Sequence, residues 1–180
     1  MKHFILILTI FIFAACKKAN NNVDVLPPIT QIGAGTFGCL INGKVFTPKG
    51  FEQNHPNFDM IVDPYYNDGS IDIRVFNKEG DITERLNFGS DSVSEVGLYM
   101  IGSRTDFSHS IYSRNISDFI CETPYSFGSY SDKTGYIKIT RYDLINRIFS
   151  GEFEFHFVNP DCGIGDTIHI TQGRFDKKIN

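Results

Sequence analysis

Between residues 149 and 158 the chain alternates aromatic and polar side chains with a period of two: Phe153, Phe155 and Phe157 interleave with Glu152, Glu154 and His156. Successive side chains of a strand point to opposite faces, so this stretch suits a strand with one buried and one wet face, and suits no helix. Burying each ring is worth about 1.5–3 kcal/mol, which decides the inward face. The same period recurs elsewhere. Ile71, Ile73 and Val75 alternate with Asp72 and Arg74, Ile137 and Ile139 share one face of 136–142, and Ile168 and Ile170 stand between Thr167, His169 and Thr171. Residues 58–62 read as a further strand; 84–88 and 97–101 carry weaker strand signals. Cys39-Leu40-Ile41 and 44–47 flank Asn42-Gly43, a dipeptide that suits the positive φ angles of a tight type I′ hairpin. Phe37, Cys39 and Ile41 then share the inner face. Short strands joined by Gly, Asn and Asp turns, with no amphipathic helical pattern, predict an all-β fold: an antiparallel β-sandwich or small β-barrel in a single domain.

The amino-terminal end is built differently. Lys2 precedes a run from Phe4 to Ala15 that is apolar except for Thr9, and Ala14-Ala15 stand immediately before Cys16. A charged start, a short apolar stretch and small residues at a cut site describe a signal peptide over 1–15, too short to span a bilayer. Phe13-Ala14-Ala15-Cys16 resembles the bacterial lipobox, with Phe13 where Leu is usual. That resemblance implies a diacylglycerol-modified, acylated Cys16, and several acyl chains anchor a protein firmly without a membrane-spanning helix. Residues 16–36, with Asn20-Asn21-Asn22, Pro27-Pro28 and Gly33-Ala34-Gly35, then read as a lipid-anchored flexible tether, and 37–180 as the globular domain. Loss of Lys2 makes the mature chain one unit more negative than the −4 of the precursor. Paired lysines occur only at 17–18 and 177–178, so nucleic-acid binding has no electrostatic footprint and the membrane is the expected partner.

Beyond Cys16 three cysteines remain, in a compartment where disulfides persist. Cys39 is expected in the core. Cys121 ends a strand-like stretch and Cys162 lies in a loop, which favours a Cys121–Cys162 bridge worth about 3–4 kcal/mol in the chain-entropy model, with three free thiols as the alternative.

Candidate chemistry is sparse. If the last two strands pair around Cys162, His156 and His169 face each other on the polar side with Glu154 two residues along, the minimum set for a catalytic zinc; solvated imidazoles on a half-wet sheet are the simpler reading. Asp63, Asn67, Asp68 and Asp72 offer oxygen ligands, but their spacing departs from the EF-hand loop and an Asn-Asp-Gly turn accounts for them. Tyr112, Tyr125, Phe127 and Tyr130 sit among Ser and Asp residues, a combination suited to stacking on a glycan or peptide ligand; filling the core is the competing role. No Gly-rich phosphate loop and no nucleophile–base arrangement is visible, so no cofactor is expected and a non-enzymatic module is favoured over a hydrolase.

Residues 36–46 (TFGCLINGKVF), 135–143 (GYIKITRYD), 147–155 (RIFSGEFEF) and 165–176 (GDTIHITQGRFD) resemble the opening hairpin, central hairpin and closing strand of an uncharacterised lipoprotein family of Bacteroidetes-type bacteria. The resemblance implies a Gram-negative cell envelope and outer-membrane anchoring, and brings no catalytic residues with it. The expected function is binding of a glycan, peptide or envelope protein, with a lipocalin-like carrier of a small apolar ligand as the alternative.

Overall fold

The computed structural model describes residues 25–101, 109–116, 119–122, 134–158 and 167–180. Eleven strands and no helix lie among them: β1 (Ala34–Ile41), β2 (Lys44–Phe46), β3 (Phe58–Asp63), β4 (Ser70–Glu79), β5 (Ile82–Asp91), β6 (Gly97–Ile101), β7 (His109–Ile116), β8 (Phe119–Glu122), β9 (Thr134–Asp143), β10 (Ile148–Val158) and β11 (Thr167–Lys178). They form two antiparallel sheets, one of six strands ordered β2-β1-β11-β10-β9-β6 and one of five ordered β3-β4-β5-β7-β8. The fold is therefore a single-domain β-sandwich rather than a barrel.

Period-two patterning decides the inner faces. Ile71, Ile73, Leu86 and Phe88 from the five-stranded sheet meet Phe37, Ile137, Ile139, Phe153, Ile168 and Ile170 from the other, all almost wholly buried in one cluster. Phe88 lies 4.4 Å from Phe153 and 5.3 Å from Phe155, ring centre to ring centre. Phe37 lies 5.4 Å from both Phe153 and Phe58. Aromatic rings at such spacings add attraction beyond the area they bury, so the space between the sheets is filled by protein. Cys39 is a free thiol inside this core, where burial pushes its pKa up against a small opposing pull from Arg174.

The Asn42-Gly43 hairpin forms as expected, with φ of 48° and 79°. Its register pairs Leu40 with Val45. Other elements exceed the expectation. The weak signal at 84–88 becomes β5, a ten-residue strand paired on both sides. Strands β7 and β8 carry Ser, Arg, Asn and Ile in no clean alternation, and pairing with β5 rather than local pattern makes them strands.

The expected tether boundary needs correction. Residues 25–33 are not a free spacer but an arm across the outer face of the six-stranded sheet. Gly38 lacks a side chain there, and a Cβ on it would lie 2.5 Å from Pro27 Cδ. Arg174 donates to the carbonyl of Pro27 and Arg141 to that of Gln31. Most of all, Asp176 gathers the arm. Its Oδ2 accepts from Thr30 Oγ1 (2.7 Å), Ile32 N (3.0 Å) and Ala34 N (3.1 Å), and its Oδ1 from Gly33 N (2.8 Å) and Ser150 Oγ (2.7 Å). Composition suggests a spacer because Pro and Gly supply no apolar face. The arm is held instead through its backbone amides, which composition does not reveal.

The arm defines one end of the sandwich. Here lie the β9–β10 turn, the start of β1 and the end of β11, and β3 crosses it: Lys177 donates to Phe58 O at one end of β3, while the charge of Asp63 at its other end acts on Tyr142. Loop 47–57 is joined to β4 through Lys49, whose amide donates to Phe76 O and whose carbonyl accepts from Lys78 N. At the other end of the six-stranded sheet lie the β1–β2 turn and the strand termini Ile101, Thr134, Val158 and Thr167.

Candidate functional site

The end of the six-stranded sheet opposite the arm carries two of the residues that the sequence singled out. β10 and β11 place His156 directly opposite His169, as the hairpin argument requires. Both imidazoles are exposed, and their rings lie 5.9 Å apart at 37°. The neighbouring turn is fastened to the same strand: Asn42 N donates to His169 O and His169 N donates to Asn42 Oδ1.

Glu154 does not complete a metal triad. One more residue is inserted in β11 than in β10 between the pairs Phe153–Gly173 and Phe155–Ile170, and this bulge leaves the amide of Gln172 outside the ladder. Glu154 Oε1 accepts that amide at 3.2 Å, so its carboxylate supports the bulge. Tyr136 also hydrogen-bonds Glu154; burial first, then the charges of Glu154 and Glu152, raise the phenol's pKa. Among the described residues no group of three or more His, Cys, Asp and Glu side chains is placed to hold a metal ion.

The acidic turn after β3 resolves as backbone support. Asp63 Oδ1 accepts from the amides of Tyr65 (2.9 Å) and Tyr66 (3.2 Å), Asn67 Nδ2 donates to Asp91 Oδ2 at 2.9 Å, and Asp72 pairs with Arg74. Asn67 and Asp68 both take positive φ, 46° and 62°, a conformation that short amide and carboxylate side chains tolerate. The same framework carries two residues that sequence reasoning missed. Tyr65 and Tyr66, bracketed by Pro64 and Asn67, are thrust outward, with 92% and 56% of their surface exposed. The signal was present in Pro-Tyr-Tyr-Asn-Asp-Gly, since two adjacent aromatics in a tight turn cannot both follow a strand's alternation into the core.

The remaining candidates are placed only in part. Tyr112 is opposite Leu86 in the β5–β7 register and Cys121 opposite Arg114 in the β7–β8 register. Cys16, Tyr125, Phe127, Tyr130 and Cys162 lie outside the described residues. The strand ends that flank 123–133 and 159–166 include Thr134, Val158 and Thr167, all at the end that carries His156 and His169.

No protein-family model, curated protein or solved structure matches this chain. The class that the geometry defines is accordingly structural: an antiparallel sandwich, eleven-stranded among the described residues, with an amino-terminal arm at one end of its six-stranded sheet, exposed histidine rings at the other, and exposed tyrosine rings on the β3–β4 turn.

Proposed function

We propose that the chain is a lipoprotein of the bacterial cell envelope, anchored through lipid on Cys16 to the outer membrane. In this reading its sandwich is a non-enzymatic module that binds a ligand, a glycan first among glycan, peptide and protein partners, at the β3–β4 turn. The exposure of Tyr65 and Tyr66 on a turn braced by Asp63, Asn67 and Asp91 is the observation that carries it. Rigid phenol rings beside hydrogen-bonding side chains are what a sugar ring stacks on and is oriented by, at little entropic cost. A packed phenylalanine interior favours a surface site over the hollow interior that a lipocalin-like carrier needs. The lipobox resemblance at Phe13-Ala14-Ala15-Cys16 supports the anchor, and the family resemblance supports a Gram-negative envelope.

Two measurements test this reading. Mass spectrometry of the mature amino terminus should find diacylglycerol and acyl chains on Cys16; an unmodified end removes the anchor. A glycan array followed by calorimetry should give a ligand whose affinity falls at least about tenfold in Tyr65→Ala or Tyr66→Ala, the loss of about 1.4 kcal/mol expected for one stacking ring. Silence across glycans, or a ligand indifferent to both tyrosines, sinks the binding site as placed here.

A further inference from the structure

On the outer face of the six-stranded sheet, His156 of β10 stands opposite His169 of β11, with both imidazoles exposed and their rings 5.9 Å apart. The main chain sets how close they come. His169 donates its amide to Asn42 Oδ1 at 2.8 Å, and its carbonyl accepts from Asn42 N at 2.9 Å. The N–H and C=O of a residue in an antiparallel strand point to the same side, so both are turned toward the β1–β2 hairpin and away from β10. His156 and His169 therefore form a non-hydrogen-bonded cross-strand pair. In that class the Cα atoms are only about 4.5 Å apart and the side chains lie closest to each other.

The ladder beneath the two rings is fixed. Phe155, Ile168 and Ile170, their neighbours along the strands, are buried in the core cluster, and the Asn42 turn clamps His169 from its other side. Pinned backbones leave the imidazoles little freedom beyond their own χ rotations, so the cost of bringing two ligands together is already met by the fold. Two imidazoles that share one cation at 2.0–2.1 Å hold their ring centres about 5 Å apart. A small rotation carries the observed 5.9 Å spacing onto a shared ion. Glu152 and Glu154 alternate with His156 along the same face of β10, and their charges favour a cation there. Glu154, engaged with the amide of Gln172, adds field and not a ligand.

The donor type selects the ion. Imidazole nitrogen suits zinc, copper and nickel, whereas calcium and magnesium want oxygen. Two protein ligands leave the remaining positions of a tetrahedral ion to water, so the site is open and not a closed structural one. We infer that His156 and His169 together chelate one divalent transition-metal ion of the zinc class on the outer face of β10 and β11, in an open site completed by water. The site holds whether or not the tyrosine turn takes a glycan and whether or not Cys16 carries lipid.

Zinc chloride is the probe, because zinc has no redox chemistry and leaves the chain's thiols unoxidised. The full mature chain is titrated to about 1 mM zinc while the imidazole nitrogen resonances are followed by NMR. The ring signals of His156 and His169 should move together with one midpoint, the signals of His55 and His109 should not share it, and magnesium chloride should move none of them. His156→Gln and His169→Gln should each weaken zinc binding at least about tenfold, the loss of one of two ligands acting together. Both side chains are exposed, so the urea midpoint of either variant without metal should match the wild type. Zinc that moves only one of the two rings, or moves them with separate midpoints, overturns the chelate. So does zinc affinity that survives either substitution, which would place the ion on His55, His109 or the cysteines instead.

Discussion

Replacing Asp176 by Asn tests whether one carboxylate latches the arm to the sandwich. Asp176 is 1% exposed and accepts five hydrogen bonds, four of them from the arm and the start of β1. Burial by itself would raise its pKa; the hydrogen bonds from Thr30, Ala34, Ser150 and Gly33 outweigh burial and bring it from 3.8 down to about 2. That depression corresponds to about 2–3 kcal/mol of stability carried by the charged form. The folded-state value lies below the unfolded one. The contribution is therefore complete above about pH 4 and is lost as pH falls toward 2. The substituted carboxamide keeps the shape, loses the charge, and points an amide donor at groups that are all donors. Urea unfolding followed by far-ultraviolet circular dichroism, at pH 7 and near pH 2, should show Asp176→Asn less stable by about 2–3 kcal/mol at pH 7. The gap should shrink to under about 1 kcal/mol at the lower pH, where the wild-type group is itself protonated. Carboxylates common to both proteins cancel in the difference. Hydrogen exchange adds a local readout: the amides of Ile32, Gly33 and Ala34 should lose protection in the variant while that of Phe153 keeps it. An equal gap at both pH values, or arm amides that stay protected, would refute the latch.

Other outcomes follow from the same packing. Gly38→Ala places a methyl 2.5 Å from Pro27 Cδ and should lift the arm, costing about 1–3 kcal/mol in denaturant unfolding. An expression boundary at Phe37, where composition alone would cut, should yield a domain less stable than one beginning at Val25, seen as a lower unfolding midpoint. Phe153→Ala removes the ring that bridges Phe37 and Phe88 and should cost about 3–5 kcal/mol in denaturant unfolding. Burial keeps the Cys39 thiol protonated, so maleimide at pH 7.5 should leave it unlabelled in the folded protein and modify it only after denaturation, as read by peptide mass mapping.

Much of this architecture is legible because period-two patterning is a local property. Ile71, Ile73, Ile137, Ile139, Phe153, Ile168 and Ile170 alternate with polar neighbours, and a half-buried strand is the one arrangement that hides all of them at once. The Asn42-Gly43 turn and the apposition of His156 and His169 are legible for the same reason, since a hairpin sets its own register. Strand β5 is longer than its pattern suggests because Glu84 and Ser90 share the face of Leu86 and Phe88 and dilute it, and its length comes from two partners distant in sequence. Glu154 has the spacing of a metal ligand because spacing shows which face a residue occupies. It does not show that a β-bulge has already engaged its carboxylate.

The apolar run before Cys16, the all-β class and the inward faces of the principal strands are legible in the sequence itself, since each depends on neighbours within a few residues. Tertiary structure alone decided that two sheets stack instead of closing into a barrel, and that residues 25–33 belong to the domain. It also decided that Tyr65 and Tyr66 stand exposed on the β3–β4 turn. Those outcomes depend on pairs such as Thr30 with Asp176 and Phe88 with Phe153, brought together only when strands far apart in the chain share one core.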